Sequence, residues 1–327
     1  MLALRCRIYA AIQGATSKNG VKNKRICFSL LVVIAALCLC LHGSMVYAER
    51  ISADEVEIIT PVYTPKPENF KPRLGQYTYE VSWKGIPAGT LELQLAQKGP
   101  DYRIEASART NRFIDFFYRL RYRTEALVSA TTLYPKTSVY DNRQNKRREN
   151  TRIDFLPDGE IKSIHEDRRG NIHELRFKSN NFTLDPFSAV FLALSLEWDV
   201  GDTRQFDTFT GKSRYLVELT AIEKTTIRVT GTEREAIVIS PRVKNLTKVD
   251  PSEDDDKIRE ARIYISTDTA REILKITGDA FIGTVNTDMV SFTPSKKEIT
   301  QTSSLKNEPI PDWQCGVQQP LPSAFYP

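Results

Sequence analysis

The stretch Tyr77–Trp83 (YTYEVSW) decides the fold of this chain, because apolar and polar residues alternate along it without a break. Alternation with a period of two is typical of a β-strand with one face in a protein core and the other in water. The apolar residues at positions 77, 79, 81 and 83 therefore share one face of a predicted strand.

The segments that follow repeat this pattern. Leu91–Leu95 and Tyr102–Ala108 also alternate, and the turn-forming stretches Lys84–Gly89 and Lys98–Asp101 separate the three segments. Strands joined by short turns pair antiparallel, so this region is predicted to be a meander. Similar segments continue to Phe292, and no regular strand–helix–strand alternation of the parallel type occurs.

Two short helices are predicted to interrupt the strands. Thr110 or Asn111 can cap the first, and Asp185-Pro186 opens the second with a capping residue followed by proline at the first helical position. Both helices are rich in apolar residues, so we expect them to pack on the sheet. Those of the first are Phe113, Ile114, Phe116, Phe117 and Leu120, and those of the second are Phe187, Val190, Phe191, Leu194 and Leu196. The fold class predicted is mainly β, a curved antiparallel sheet or partial barrel with two short helices against its concave face.

Composition and pattern divide the chain into four parts. Residues 1–48 are predicted to be a signal peptide, 49–72 a Pro-rich linker, 73–294 the β-rich domain, and 295–327 a polar tail that contains prolines. The leader has basic residues before the apolar run Ile26–Leu41, and small residues precede a predicted cleavage between Ala48 and Glu49. The prediction is therefore export to the periplasm by a Sec-type signal. An uncleaved N-terminal anchor is the alternative, and Val21 is an alternative start.

Charge and cysteines exclude several classes of protein. Residues 1–48 hold six of the 46 basic residues and no acidic one, so the remaining chain has 40 basic and 41 acidic residues. A chain this close to neutral has no overall field that would attract nucleic acid. Leu37 and Leu39 precede Cys38 and Cys40 where a lipoprotein signal needs a small residue, so lipidation is not expected. Cys315 is then the one cysteine left in the mature chain, which excludes an internal disulfide.

The region from Tyr77 to Phe292 resembles the bacterial envelope proteins called domain of unknown function 3108. The likeness rests on five stretches in the family's order, which are Tyr77–Gly89, Phe117–Pro135, Asp185–Leu196, Ala236–Pro241 and Arg262–Gly283. The resemblance implies a protein exported by Gram-negative bacteria with no established activity. By analogy it also implies a half-barrel like that of periplasmic lipoprotein carriers of the LolA type, although a shared fold does not define a function.

The sequence contains no recognisable catalytic, metal or cofactor motif, and a non-enzymatic protein is predicted. His165 and His173 flank one turn and could approach each other, but two histidines form at most half of a metal site. Asp250–Asp256 is an acidic cluster without the spacing of a calcium loop, and a solvated loop is the prediction. Basic residues crowd Arg143–Arg152, where we expect an exposed hairpin tip, with contact to anionic lipid or polysaccharide as the alternative.

The apolar residues of the two helices are the candidate binding residues. Apolar ligands bind between apolar walls with few polar anchors. The predicted lining residues are Phe113, Phe116, Phe117, Phe187, Val190, Phe191 and Leu194. The function expected is binding of a hydrophobic envelope ligand, a lipid or an acyl chain, and membrane contact is expected only through an uncleaved leader or this ligand. A structural or assembly protein that binds other envelope proteins is the alternative, and a polymer hydrolase with paired carboxylates is a third interpretation.

Overall fold

The computed structural model describes residues 60–66, 68–179, 181–247, 258–280 and 283–295. The chain divides into one unit of residues 1–295 and another of residues 296–327, and the second unit lies outside the described residues. The predicted leader with its cleavage site, the acidic cluster and Cys315 also lie outside them. No helix within the described ranges is long and apolar enough to span a membrane.

The described residues contain fourteen strands in one antiparallel sheet, which confirms the mainly β prediction. The strands are β1 (Gly75–Trp83), β2 (Ile86–Lys98), β3 (Asp101–Thr110), β4 (Leu120–Ser129), β5 (Pro135–Gln144), β6 (Arg147–Phe155), β7 (Glu160–Glu166), β8 (Ile172–Lys178), β9 (Thr203–Phe209), β10 (Arg214–Val229), β11 (Thr232–Asn245), β12 (Ile258–Ser266), β13 (Ile273–Ala280) and β14 (Gly283–Pro294). Strand β10 continues through a β-bulge near Ala221, where its register with β11 shifts.

Two meanders make up the sheet. Strands β1 to β8 pair in sequence order, as do β9 to β14, and the pairing of β1 with β14 joins the two groups. The sheet is open, with β8 and β9 as its edges. Tyr77 and Tyr79 of β1 are buried, as their alternation predicted. Their hydroxyls donate to the carbonyl oxygens of Arg73 (2.7 Å) and Ile273 (3.0 Å), so burial leaves neither hydroxyl unsatisfied.

The longer helix connects the two edge strands. This helix, α2 (Pro186–Ser195), has every residue buried except the half-buried Val190. Asp185 caps it as predicted, since its carboxylate accepts from the backbone N–H groups of Phe187 (3.2 Å) and Ser188 (3.0 Å). The same carboxylate accepts from the Ser138 hydroxyl of β5 (2.9 Å), which ties the start of the helix to the sheet.

The shorter helix, α1 (Arg112–Asp115), differs from its prediction. It has a single turn, Phe116 is its C-terminal cap, and Leu120 already belongs to β4. The reason lies in the register of the sheet, which pairs Arg109 of β3 with Arg121 of β4 and leaves a connection too short for a longer helix. The prediction that α1 packs on the concave face through its aromatic residues is therefore wrong, because these residues are exposed.

We expect Asp185→Ala to lower the free energy of unfolding by about 2 kcal/mol, because the helix loses its cap and the buried Ser138 hydroxyl loses its acceptor. Urea denaturation followed by circular dichroism measures this difference. Asp199→Ala is the matched control, since the Asp199 side chain is 87% exposed and its ion pair with Lys224 should contribute little. An equal effect of both substitutions would contradict the anchoring role of Asp185.

Candidate functional site

An apolar cavity of about 100 Å³ lies between α2 and the sheet. One wall is the inner face of α2, which supplies Phe187, Val190, Phe191 and Leu194. The opposite wall comes from strands of both meanders and includes Tyr77, Leu93, Val217, Leu219, Ile263 and Ile276. The pairing of β1 with β14 therefore brings the two halves of the cavity together. Four of the seven predicted lining residues lie here.

The segment before β1 covers this cavity. We call residues 60–66 and 68–74 the strap. Phe70 of the strap is 5% exposed, lines the cavity and meets the Phe191 ring edge-on, with 5.5 Å between the ring centroids. The strap is fixed further along by Tyr63, whose ring packs on Phe206 at 5.1 Å and whose hydroxyl accepts from the Gln205 N–H. The described part of the predicted linker is thus packed on the domain.

Charged residues of the β12–β13 turn form the polar side of the cavity. Glu272 is buried and accepts from the Arg73 guanidinium of the strap at 2.7 and 2.8 Å, and from Arg234 at 3.0 Å. The two cations and one carboxylate form a charge-assisted network that holds the strap to this turn. A second contact between them is the bond from the Lys71 N–H to the Thr269 carbonyl oxygen (2.7 Å).

Arg271 differs from the arginines of that network. It lines the cavity next to Glu272, and its buried Nε has no hydrogen-bond partner among the described residues. Its backbone φ of +48° lies in the left-handed region, which non-glycine residues seldom adopt. A buried guanidinium N–H group without a partner is costly, and a hydrogen bond from it to an anionic oxygen would be a strong, charge-assisted one.

The two tyrosines of β1 remain neutral donors. Burial raises the pKa of Tyr77 and of Tyr79 well above the ordinary range, and the nearby negative charge of Glu272 raises both further. Both hydroxyls therefore stay protonated and carry no charge that a ligand could bind. Their protons are already donated to backbone carbonyl oxygens. Within the described lining residues, Arg271 and Glu272 are the charged side chains of the cavity.

The other three predicted lining residues lie outside the cavity, and their expected placement is corrected here. Phe113, Phe116 and Phe117 are 38%, 84% and 41% exposed. The connection between β3 and β4 buries Ile114 instead, and none of the three phenylalanines is among the described residues that line the cavity. The wall of the cavity on the helical side is consequently formed by α2 and the strap.

The two histidines lie opposite each other on β7 and β8. The His165 and His173 rings stack with their centroids 6.1 Å apart. His165 is buried, and its Nδ1 lies 2.8 Å from the Thr151 hydroxyl and 3.0 Å from the Asn150 carbonyl oxygen. Burial, with a further contribution from Lys212, lowers its pKa to about 4. No group of three or more metal-ligating side chains occurs in the described part of the chain.

The basic stretch Arg143–Arg152 forms the β5–β6 hairpin, as predicted. Asp141 pairs with both Arg143 (2.9 Å) and Arg148 (3.4 Å), and Asp154 pairs with Arg152 (2.8 Å). Much of the positive charge along these strands is thus compensated by acidic neighbours. Lys146 and Arg147, at the turn itself, have no ion pair among the described residues.

Fold and cavity together define a protein with one open antiparallel β-sheet and a small apolar cavity between the sheet and helix α2. The chain belongs to the family described as Protein of unknown function (DUF3108), which matches residues 78–290. This confirms the resemblance found between Tyr77 and Phe292. No curated protein matches the chain.

Three crystal structures are similar to this chain. A beta-barrel-like protein of domain of unknown function DUF1849 from Brucella abortus has 10% identity and a TM-score of 0.47, over 68% of this chain and 99% of that one. A Bacteroides fragilis protein described as a putative exported protein with a YmcC-like fold has 7% identity and a TM-score of 0.31, over 68% of this chain and 98% of that one. A Parabacteroides distasonis protein described as a putative lipoprotein has 8% identity and a TM-score of 0.29, over 71% of this chain and 100% of that one.

Most of the residues that line the cavity were not predicted from the sequence, and the argument for the site depends on two of them, Phe70 and Arg271. Phe70 is one of two aromatic residues, with Tyr63, in a polar, Pro-rich stretch, and such large apolar side chains were a usable sign that the stretch packs on the domain. Arg271 lies in an ordinary Ser-Thr-Asp turn, where nothing in the local sequence distinguishes it from a solvated arginine. Only the packing of the strap over the β12–β13 turn brings both to the cavity.

We expect the free energy of unfolding to decrease by about 1 kcal/mol between pH 7.5 and 5.5 because of His165 alone. The unfolded histidine, with a pKa of 6.5, takes up a proton in this range, whereas the native one, at about 4, stays neutral. Acidification therefore favours the unfolded state. Urea denaturation of the wild type and of His165→Gln at both pH values isolates this contribution. An identical pH dependence of the two proteins would contradict it, and His173→Gln is the control.

Proposed function

We propose that this protein is a non-enzymatic periplasmic binding protein that holds an acyl chain of an envelope amphiphile between α2 and the sheet. The observation that carries the proposal is the apolar cavity, whose walls are aliphatic and aromatic side chains of α2, the strap and both meanders. Such walls favour a hydrocarbon and reject polar molecules. The predicted signal peptide supports a location outside the cytoplasm, where envelope lipids are the abundant source of acyl chains.

The size of the cavity defines how a ligand would enter. Its volume of about 100 Å³ is well below the 300–1,000 Å³ of common ligand pockets, so an acyl chain needs more space than is open. Phe70 is the side chain best placed to provide it, because it belongs to the strap and not to the sheet. Binding would displace the Phe70 ring from Phe191, and the hydrocarbon would take its place.

Arg271 is the residue proposed to bind the other end of the ligand. It lines the cavity, and its Nε has no hydrogen-bond partner among the described residues. Its guanidinium would donate to a carboxylate or phosphate oxygen, so the amphiphile proposed is an anionic one. A free fatty acid, a phospholipid and a peptide that carries an acyl chain share part of this chemistry. Native mass spectrometry with lipid extraction, on protein from the cell envelope, separates these sources by mass.

We expect Phe70→Ala to bind palmitate several-fold more tightly than the wild type, because the absent ring leaves room for the hydrocarbon. The same substitution should lower the free energy of unfolding by about 3 kcal/mol. Titration with a fluorescent fatty acid, and displacement of it by palmitate, measures the affinity. Phe155→Ala is the matched control, since Phe155 is equally buried but does not line the cavity, and its loss should destabilise without tighter binding.

A charge in the cavity tests the same proposal in the opposite direction. Val190→Asp places a carboxylate on the wall and should abolish binding, whereas Val290→Asp, at an exposed position of β14, should leave it unchanged. Wild-type protein that binds no fatty acid, or binding that Phe70→Ala and Val190→Asp both leave unaltered, would refute the cavity as the site.

We expect Arg271→Gln to reduce the affinity for palmitate about tenfold and to leave the affinity for a neutral monoacylglycerol unchanged, because the variant loses a charge-assisted bond to the head group. Competition titrations with the two ligands give this ratio. Arg242→Gln removes an arginine that is 84% exposed, and serves as the control. Equal weakening of both ligands would show that Arg271 acts on the structure of the turn and not on the head group.

A second candidate function is the binding of other envelope proteins, as a structural or assembly factor. One observation favours it, namely the apolar patch that Phe113, Phe116 and Phe117 form outside the cavity. Exposed apolar patches of this kind mark interaction surfaces.

A further inference from the structure

The aromatic tip, defined as Phe113, Phe116 and Phe117, combines exposure with order. The Phe117 ring meets the rings of Phe113 and Phe116 edge-on, with centroids 5.9 and 5.1 Å apart, and Phe116 is 84% exposed. The exposure of three phenylalanine rings to water raises the free energy of the protein, and burial of these rings in an apolar environment would lower it. The tip therefore has a strong tendency to enter an apolar phase.

The backbone holds the tip in this position. Asn111 caps the turn, since its side chain accepts from the Ile114 N–H at 2.9 Å and donates to the Pro87 carbonyl oxygen at 2.6 Å. Asp115 is bound by Arg121 of β4 through two hydrogen bonds and by the Thr110 hydroxyl. The rings are thus presented by a fixed turn, and docking needs little further ordering of the backbone.

Basic residues lie next to the tip in the chain and in the adjoining turn. Arg112 and Arg119 flank the rings in sequence, and the β5–β6 turn lies beside them because the Asn145 N–H donates to the Arg119 carbonyl oxygen at 2.8 Å. That turn adds Lys146 and Arg147. None of these four cations has an ion pair among the described residues. Asp115, the acidic residue of α1, is already paired with Arg121.

The same end of the sheet carries a further aromatic residue and a further basic residue. The β1–β2 turn lies there, because Gly89 of β2 pairs with Thr110 at the end of β3. It contributes Trp83 and, over its ring, the Lys84 amine at 5.8 Å. The β12–β13 turn with Arg271 lies at the opposite end of the strands, so this surface is separate from the cavity and does not depend on it.

We infer that the aromatic tip docks this protein on a membrane surface that contains anionic phospholipid. Aromatic rings at the centre enter the boundary between head groups and acyl chains, and the surrounding Arg and Lys side chains meet the lipid phosphates. The charges favour this occupant over a protein, because protein interfaces are depleted in lysine and have few uncompensated charges at their core. The patch is too small to insert deeply, so the association is reversible and peripheral.

Co-sedimentation of the full chain with lipid vesicles tests the inference. Binding is expected on vesicles of phosphatidylcholine with phosphatidylglycerol and at least tenfold weaker on phosphatidylcholine alone, and it should decrease as salt is raised. Phe116→Ser and the pair Arg112→Gln with Lys146→Gln should each weaken binding about tenfold. Val200→Ser, at another exposed apolar site, and the pair Lys98→Gln with Lys178→Gln, at the other end of the sheet, are the matched controls and should change nothing.

A photo-crosslinking residue at position 116 reports on the tip in living cells, independently of any binding through the N-terminal segment. Crosslinks to phospholipid would support the inference, together with the pattern of vesicle binding above. Crosslinks to a protein would overturn it in favour of a protein interface. No crosslink at all, or vesicle binding that tip and control variants alter equally, would also overturn it. Since Val190→Asp and Arg271→Gln leave the tip intact, loss of fatty acid binding in them does not bear on this result.

Discussion

The pairing of β1 with β14 is the contact on which the rest of this structure depends. It joins residues more than two hundred positions apart, such as Tyr77 and Phe292, and converts two independent meanders into one sheet. Each meander alone would expose the apolar face that the other meander and α2 now bury. Because closing so long a loop has an entropic cost before any contact compensates it, we expect this pairing to form late in folding. The cavity exists only once it has formed, since its walls come from both sides of the join.

Helix α2 completes the core that this pairing creates. It runs between the two edge strands, and its cap Asp185 is bonded to β5 while the adjoining Leu184 pairs with β9. The helix is thus held to both meanders at its first turn. Strand β8, at the open edge of the sheet, carries charged and polar side chains, among them His173, Glu174, Arg176 and Lys178. Charged side chains on an edge strand hinder the pairing of this edge with a strand of another chain.

Two sets of aromatic residues have opposite roles in this molecule. Phe187 and Phe191 are buried around a cavity, whereas the rings of the aromatic tip are exposed. The hydrocarbon binding proposed for the cavity and the membrane docking inferred for the tip are compatible with each other, because both would place the protein at the surface of a lipid bilayer. The polar network of Arg73, Arg234 and Glu272 holds the strap to the β12–β13 turn, at the end of the strands opposite the tip.

The sequence by itself determined the strands, the antiparallel class, the second helix with its Asp185 cap, and the membership of the family. These features depend on local periodicity and on capping chemistry, both of which are written in neighbouring residues. Only the tertiary structure decided which apolar residues meet. Phe113, Phe116 and Phe117 lie in a short apolar segment, as Phe187 and Phe191 do, yet the register of Arg109 with Arg121 leaves room for a single helical turn, and the first group stays exposed. Phe70 and Arg271 reach the cavity because the strap packs on a turn about two hundred residues away. The pairing of strands far apart in the chain determines which side chains reach the cavity, and a local sequence pattern contains no information about this pairing.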